Sequence, residues 1–129
     1  MSTKDPLNEK LLAHLLTIHQ ICSENRVARA KEISTRLQVR PYAVTAALRA
    51  LGNLGLINYA PYDVITLTES GHRRAEKILR QRKALANFFI QVLDVDQDEA
   101  HEAAARLEQH IPPSILEKMI QFPRPDHDD

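Results

Sequence analysis

Apolar residues return every three or four positions through most of this chain and alternate only in one short stretch near its middle. Over residues 6–23, Leu7, Leu11, Leu15, Ile18 and Cys22 share one helical face, which Leu12, Leu16 and Ile21 widen. The spacing predicts a helix that ends near Glu24-Asn25-Arg26, with Asn25 as its left-handed cap. Ala30-Lys-Glu-Ile-Ser-Thr-Arg-Leu37 predicts a second, short helix, apolar at Ala30, Ile33 and Leu37. Gln38-Val39-Arg40-Pro41 is a tight break. A third helix follows over 41–51, with Pro41 in the first position, where its missing N–H would be unpaired anyway. Val44, Leu48 and Leu51 form its buried stripe, and Gly52-Asn-Leu-Gly55 stops it. Leu56-Ile57-Asn58-Tyr59 then alternates like a strand, Ala60-Pro61-Tyr62-Asp63 turns, and residues 64–68 return as a second strand.

Past this hairpin the helical period resumes. Thr68 is placed to cap a helix over 69–93, about 37 Å long at 1.5 Å per residue. Its first half is basic and its second half is nearly all apolar. Asp96 with Glu99 is a capping-box variant opening a helix to about residue 110, apolar at Ala100, Ala103, Ala104, Leu107 and Ile111. Pro112-Pro113 breaks it, and a last helix over 114–121 carries Ile115, Leu116, Met119 and Ile120. Loose ends are expected at 1–4 and in the acidic tail 123–129. The fold class expected is mainly α, a winged helix-turn-helix at 1–72 followed by an all-helical dimerisation domain at 73–122. The short last helices need a packing partner, most simply across a two-fold axis formed by Phe88, Phe89, Val92, Leu116 and Met119.

Charge assigns the partner. The net charge is zero, but residues 26–49 hold six basic side chains against the single Glu32. A second basic block runs over 72–83, and residues 94–129 hold ten acidic side chains against three basic ones. One half of the chain therefore suits a polyanion and the other does not. Two helices, a tight turn and a wing, with a basic face, predict binding to double-stranded DNA. Arg40, Tyr42, Thr45 and Arg49 are the side chains of the third helix expected to face base edges, and Arg29, Lys31 and Arg36 those expected to meet phosphates.

Composition excludes other classes. There is no Gly-rich phosphate loop, no CxxC, no HExxH and no nucleophile elbow, so no enzyme is expected. No apolar run approaches the roughly 20 residues that span a bilayer, so no membrane partner is expected. The single Cys22 has no internal disulfide partner, which suits a reducing cytoplasm, and its apolar neighbours favour packing over redox sensing. Only His101 and Glu108 stand two turns apart on one helix face, and spacing alone makes them a surface pair.

The order VARAKEISTRLQVRPYAVTAALRALGNLGLINYAPYDVITLTESG, a long basic helix and then VLDVDQDEAHEAAARLEQHI resembles the diphtheria toxin repressor and manganese transport regulator family. The resemblance covers about 7–120; its specific parts are the L-T-E-x-G closing the wing, the Y-x-P-Y turn and the D-x-x-E-A-H-E-x-A-x-x-L-E helix. It implies a homodimeric, metal-activated repressor with a winged domain and a helical dimerisation domain. The chain is similar to the short manganese-regulator type, without the SH3-like third domain of longer members.

The metal ligands that the family implies are mostly replaced. The two of the first helix fall on Ala13 and Leu16, and those of the long helix on Arg82 and Ala86. In the next helix His101 and Glu108 are kept, while Ala105 and Gln109 replace the others. The wing carries Asp63-Val64 where the family has Arg-Gly. Three readings stay open. Manganese or iron(II) is the cofactor by resemblance, bound by His101, Glu108 and a rearranged ligand such as His14 or His110. Alternatively there is no metal, and Arg82 stands in for it by forking to Glu108. Thirdly, Asp63 favours a winged protein-interaction module without specific operator binding.

Overall fold

The computed structural model describes residues 7–60 and 64–122. In order they form α1 (Glu9–Asn25), α2 (Ala30–Leu37), α3 (Pro41–Asn53), β1 (Ile57–Asn58), β2 (Thr66–Leu67), α4 (Glu69–Leu93), α5 (Gln97–Leu107), a 3-10 turn (Glu108–His110) and α6 (Pro113–Ile120). The chain divides into two units, with the boundary between Ala75 and Glu76 inside α4. The ends expected to be loose, the helix start expected at Pro6 and the wing turn with Asp63 lie outside the described residues.

In the first unit α1, α2 and α3 pack on one another. Helix α1 begins at Glu9 because Asn8 caps it, its side-chain oxygen accepting the N–H of Leu11 at 2.8 Å. Its buried face is centred on Leu12, Leu15, Ile18 and Ile21; Leu11 and Cys22, expected at the centre of the stripe, are half-buried at its edge. The left-handed residue is Arg26 (φ 74°) and not Asn25, and its N–H reaches the Cys22 carbonyl at 2.8 Å. Helix α2 ends with Gln38 left-handed (φ 56°), the tight break between the two helices. Helix α3 runs two residues beyond the expected Leu51, and the positive φ that stops it falls on Gly55 (76°).

The wing is narrower than its alternation suggests: Ile57 pairs with Leu67 and Asn58 with Thr66, antiparallel. A third segment joins it. Ala28, between α1 and α2, exchanges two 2.8 Å backbone hydrogen bonds with Ile65, and both residues are buried. Thr68 then closes the wing. Its hydroxyl donates to the Gly55 carbonyl (2.7 Å) and accepts the Gly71 N–H (3.0 Å), capping the start of α4. Gly71 is tightly confined, since a Cβ there would come within 1.9 Å of the Leu56 carbonyl oxygen. Cys22 has a packing role, its thiol 3.8 Å from the Ile65 carbonyl and its pKa pushed up by burial.

In the second unit, Leu85, Ala86, Phe89, Ala100, Ala104 and Leu116 form the core, with Phe88, Val95, Ala103, Ile111, Met119 and Ile120 packed against it. Helix α4 ends at Asp94 (φ 60°), across which the Val95 N–H returns to the Phe89 carbonyl at 3.1 Å. Asp96 caps α5 by accepting from Asp98 N–H at 3.1 Å. Ala100 and Ala104 are the small buried face of α5, but Leu107 turns outward, 43% exposed. The helix tightens there into a 3-10 turn, a common ending, which rotates the following residues off the expected α-helical face. Phe89 and Leu116, expected at a dimer contact, lie in the unit's own core at 8% and 4% exposure. Val92, expected at the same contact, is exposed, as are Leu79, Leu93, Leu107, Ile115 and Phe122 of this unit.

Candidate functional site

Helix α3 has two opposite faces. Val44, Ala47, Leu48 and Leu51 are buried against the first unit. Tyr42, Thr45 and Arg49 recur at three and four residues on the other face. Tyr42 is 74% exposed, although an aromatic ring gains little from water. Thr45 is half-buried and its hydroxyl donates to the Pro41 carbonyl (3.2 Å). Arg49 is exposed at the mouth of an open groove shared with Gly52, Asn53, Asn58, Tyr59 and Thr66, where the end of α3 meets the wing.

Arg29, Lys31 and Arg40 are also exposed, at the N-cap of α2, in its first turn and at the N-cap of α3. No side chain caps either helix, so the first-turn N–H groups of both add their partial positive charge to this basic region. Arg36 differs. Its guanidinium donates to Glu24 at 2.7 Å and to Glu32 at 2.9 Å. The hydrogen bond from Arg36 holds the Glu24 carboxyl below the usual range, and the hydrogen bond to Glu24 raises Arg36. Two carboxylates thus already occupy the Arg36 side chain and tie α2 to the end of α1.

In the second unit, Arg82 Nε faces Glu108 Oε1 at 3.9 Å. Glu108 is 8% exposed and the Arg82 side chain 24%. This approach of Nε to Oε1 lies beyond hydrogen-bond reach and is not the two-pronged fork expected from the sequence. Ala86, one turn past Arg82, is in the core. His101 is exposed, with Nδ1 2.9 Å from the Gln97 carbonyl of its own helix. In the first unit, His14 is buried and its Nδ1 lies 2.7 Å from the Lys10 carbonyl. Among the described residues, His101 and Glu108 belong to no cluster of three metal-ligating side chains; the cluster that exists is His19, His72 and Glu76. The sequence reading did not single it out, because His19 and His72 are 53 positions apart. The one local signal is the i, i+4 spacing of His72 and Glu76.

A helix pair with a β wing, continuing through one long helix into a helical second unit, defines a winged-helix protein. The family model of the iron-dependent repressor metal-binding and dimerisation domain matches residues 68–127. An HTH-type transcriptional regulator of Methanocaldococcus jannaschii is 38% identical over 102 residues, covering 79% of this chain and 82% of that one. The transcriptional regulator MntR of Salmonella typhimurium is 30% identical over 95 residues, 74% of this chain and 60% of that protein. The repressor ScaR, solved with bound cadmium, shares the fold with a TM-score of 0.75 at 24% identity, covering 87% of this chain and 52% of its own. This chain thus spans about half the length of that solved structure. It belongs to the diphtheria toxin repressor and manganese transport regulator family, whose members are transcriptional regulators and not enzymes. Among the described residues no helix is long and apolar enough to cross a membrane.

Proposed function

We infer that this chain is a sequence-specific regulator that binds double-stranded DNA as a homodimer in the cytoplasm and that Arg82 takes over the role of a metal ion in its second unit. The Tyr42–Thr45–Arg49 face of α3, with Tyr42 and Arg49 exposed and a buried stripe opposite, carries the DNA reading. Helix α3 enters the major groove, with Arg49 at a base edge and Tyr42 and Thr45 beside it. Arg29, Lys31 and Arg40 meet phosphates and set the register. Arg36 is a positioning residue in this reading, since it is engaged by Glu24 and Glu32. The exposed apolar side chains Val92, Leu93 and Ile115 supply the contact between protomers.

The family's metal does not fit the ligand positions that the resemblance names. Ala13, Leu16, Ala86 and Ala105 offer no donor atom, and a cation side chain already faces the buried Glu108. A guanidinium there neutralises the carboxylate and holds α4 near the 3-10 turn of the same unit. Fluorescence anisotropy with a duplex from the promoter of the protein's own gene, against a random duplex at two salt concentrations, tests the DNA reading. Tighter binding to the promoter at both salts is the expected result. Equal binding to both duplexes would instead make the chain a protein-interaction module.

A further inference from the structure

We propose that His19, His72 and Glu76 form a divalent-metal site, of the zinc or cobalt type, at a place other than the family's ligand positions. His19 lies in the second half of α1 and His72 in the first turn of α4, and their rings are tilted at 33° with centroids 5.4 Å apart. Glu76 follows His72 by one turn of the same continuous helix, so α4 itself brings its carboxylate beside the imidazoles. One donor atom from each of the three lies within 4.8 Å of the other two. In a tetrahedral zinc site with bonds of about 2.1 Å, ligand atoms stand roughly 3.4 Å apart. The three groups therefore need to close by no more than about 1.4 Å. Side-chain rotation is enough, because His72 is exposed and His19 and Glu76 are only half-buried.

Two imidazoles and one carboxylate form a mixed nitrogen and oxygen set. Such a set binds zinc, cobalt, nickel or iron(II) better than manganese, magnesium or calcium. Three protein ligands leave a fourth position for water. The cations adjacent to His72 and Glu76 in the sequence of α4 are Arg73, which is paired with Glu69 at 3.1 Å, and Arg74 and Lys77. A bound ion would pin the first turn of α4 to α1, and α1 carries α2 and α3. It would thereby stiffen the frame that holds the reading helix and the wing, whose last strand leads directly into α4.

The test is a titration of the full chain with cobalt(II), read by its visible d–d absorption and by back-titration with zinc. One saturable equivalent per chain is expected, displaced by zinc, with manganese a poor competitor. His72→Gln, at an exposed position, should weaken binding by at least about tenfold, as should Glu76→Gln, while His101→Ala should leave it unchanged. Far-UV circular dichroism confirms that each variant is folded. No saturable cobalt binding overturns the proposal. So does binding that survives both His72→Gln and Glu76→Gln, or that disappears in His101→Ala.

Discussion

Arg82 and Glu108 face each other at 3.9 Å inside the second unit, where the carboxylate is almost fully buried. Removing the cation alone takes away the guanidinium that faces this buried carboxylate. Arg82→Ala should cost about 3 kcal/mol, measured by urea unfolding. The double variant Arg82→Met, Glu108→Leu should recover most of that loss, because an apolar pair of similar size replaces both charges. An Arg82→Ala protein as stable as the parent would show that the contact carries no weight.

Arg82→His offers an imidazole in place of the guanidinium, near Glu108. In a His72→Gln background, which removes the other candidate metal ligand set, Arg82→His should gain a rise in melting temperature with manganese or iron(II) that the single His72→Gln variant lacks. The same melts of both proteins, with and without each metal, decide it. Absence of any gain would mean that Arg82 does not occupy a metal position.

At the reading face, Arg49→Ala should cost about 1–3 kcal/mol at the specific site and much less on random duplex. Lys31→Ala should weaken both alike and lower the salt slope by about one. The roles are misassigned if the two variants behave identically on both duplexes across a salt series.

Gly71→Ala should destabilise the first unit by about 3 kcal/mol or more, since its Cβ would overlap the Leu56 carbonyl oxygen at 1.9 Å. Gly55→Asn is the contrast: its φ of 76° is left-handed, but no atom lies within 4 Å of a Cβ there. Asn tolerates that region, so the cost should stay well below that of Gly71→Ala. Thermal melts of the two proteins give the order directly.

Leu93→Asp should yield folded monomers with weaker DNA binding, because Leu93 is 56% exposed at the end of α4. Phe89→Asp should instead unfold the second unit, since Phe89 is in its core. Analytical ultracentrifugation combined with circular dichroism separates the outcomes. A dimeric Leu93→Asp protein would move the interface elsewhere.

Glu24 gives a pH dependence of known sign. Its folded pKa is lowered by the hydrogen bond from Arg36. The stabilisation is complete above the unfolded value, about 4.3, and fades as pH falls through the lower folded one. The gap in melting temperature between the parent and Glu24→Gln should therefore be full at about pH 6 and narrow as the pH falls below about 4.3. A gap that stays constant over that range would contradict the pairing.

The local elements were legible in the sequence because their signals are local. Periods of three and four place α2 and α4 at their observed bounds, Pro41 opens α3, and Thr68 caps α4. The family was legible too, in the L-T-E-x-G whose glycine is confined by Leu56 and in the segment that carries His101 on α5 and Glu108 in the 3-10 turn after it. What depends on residues distant in sequence was not legible. The Ala28–Ile65 bridge joins segments that alternation does not mark. Arg36 reads as a phosphate contact until the end of α1 brings Glu24 to it. Phe89 and Leu116 look like interface residues, because an apolar period shows that a face is covered but not whether the same chain covers it. Spacing likewise puts Glu108 on a solvated surface, whereas packing buries it opposite Arg82. Sequence determined which surfaces each helix offers, and only the tertiary structure decided which of them meet, because side-chain pairing depends on distance in space and not along the chain.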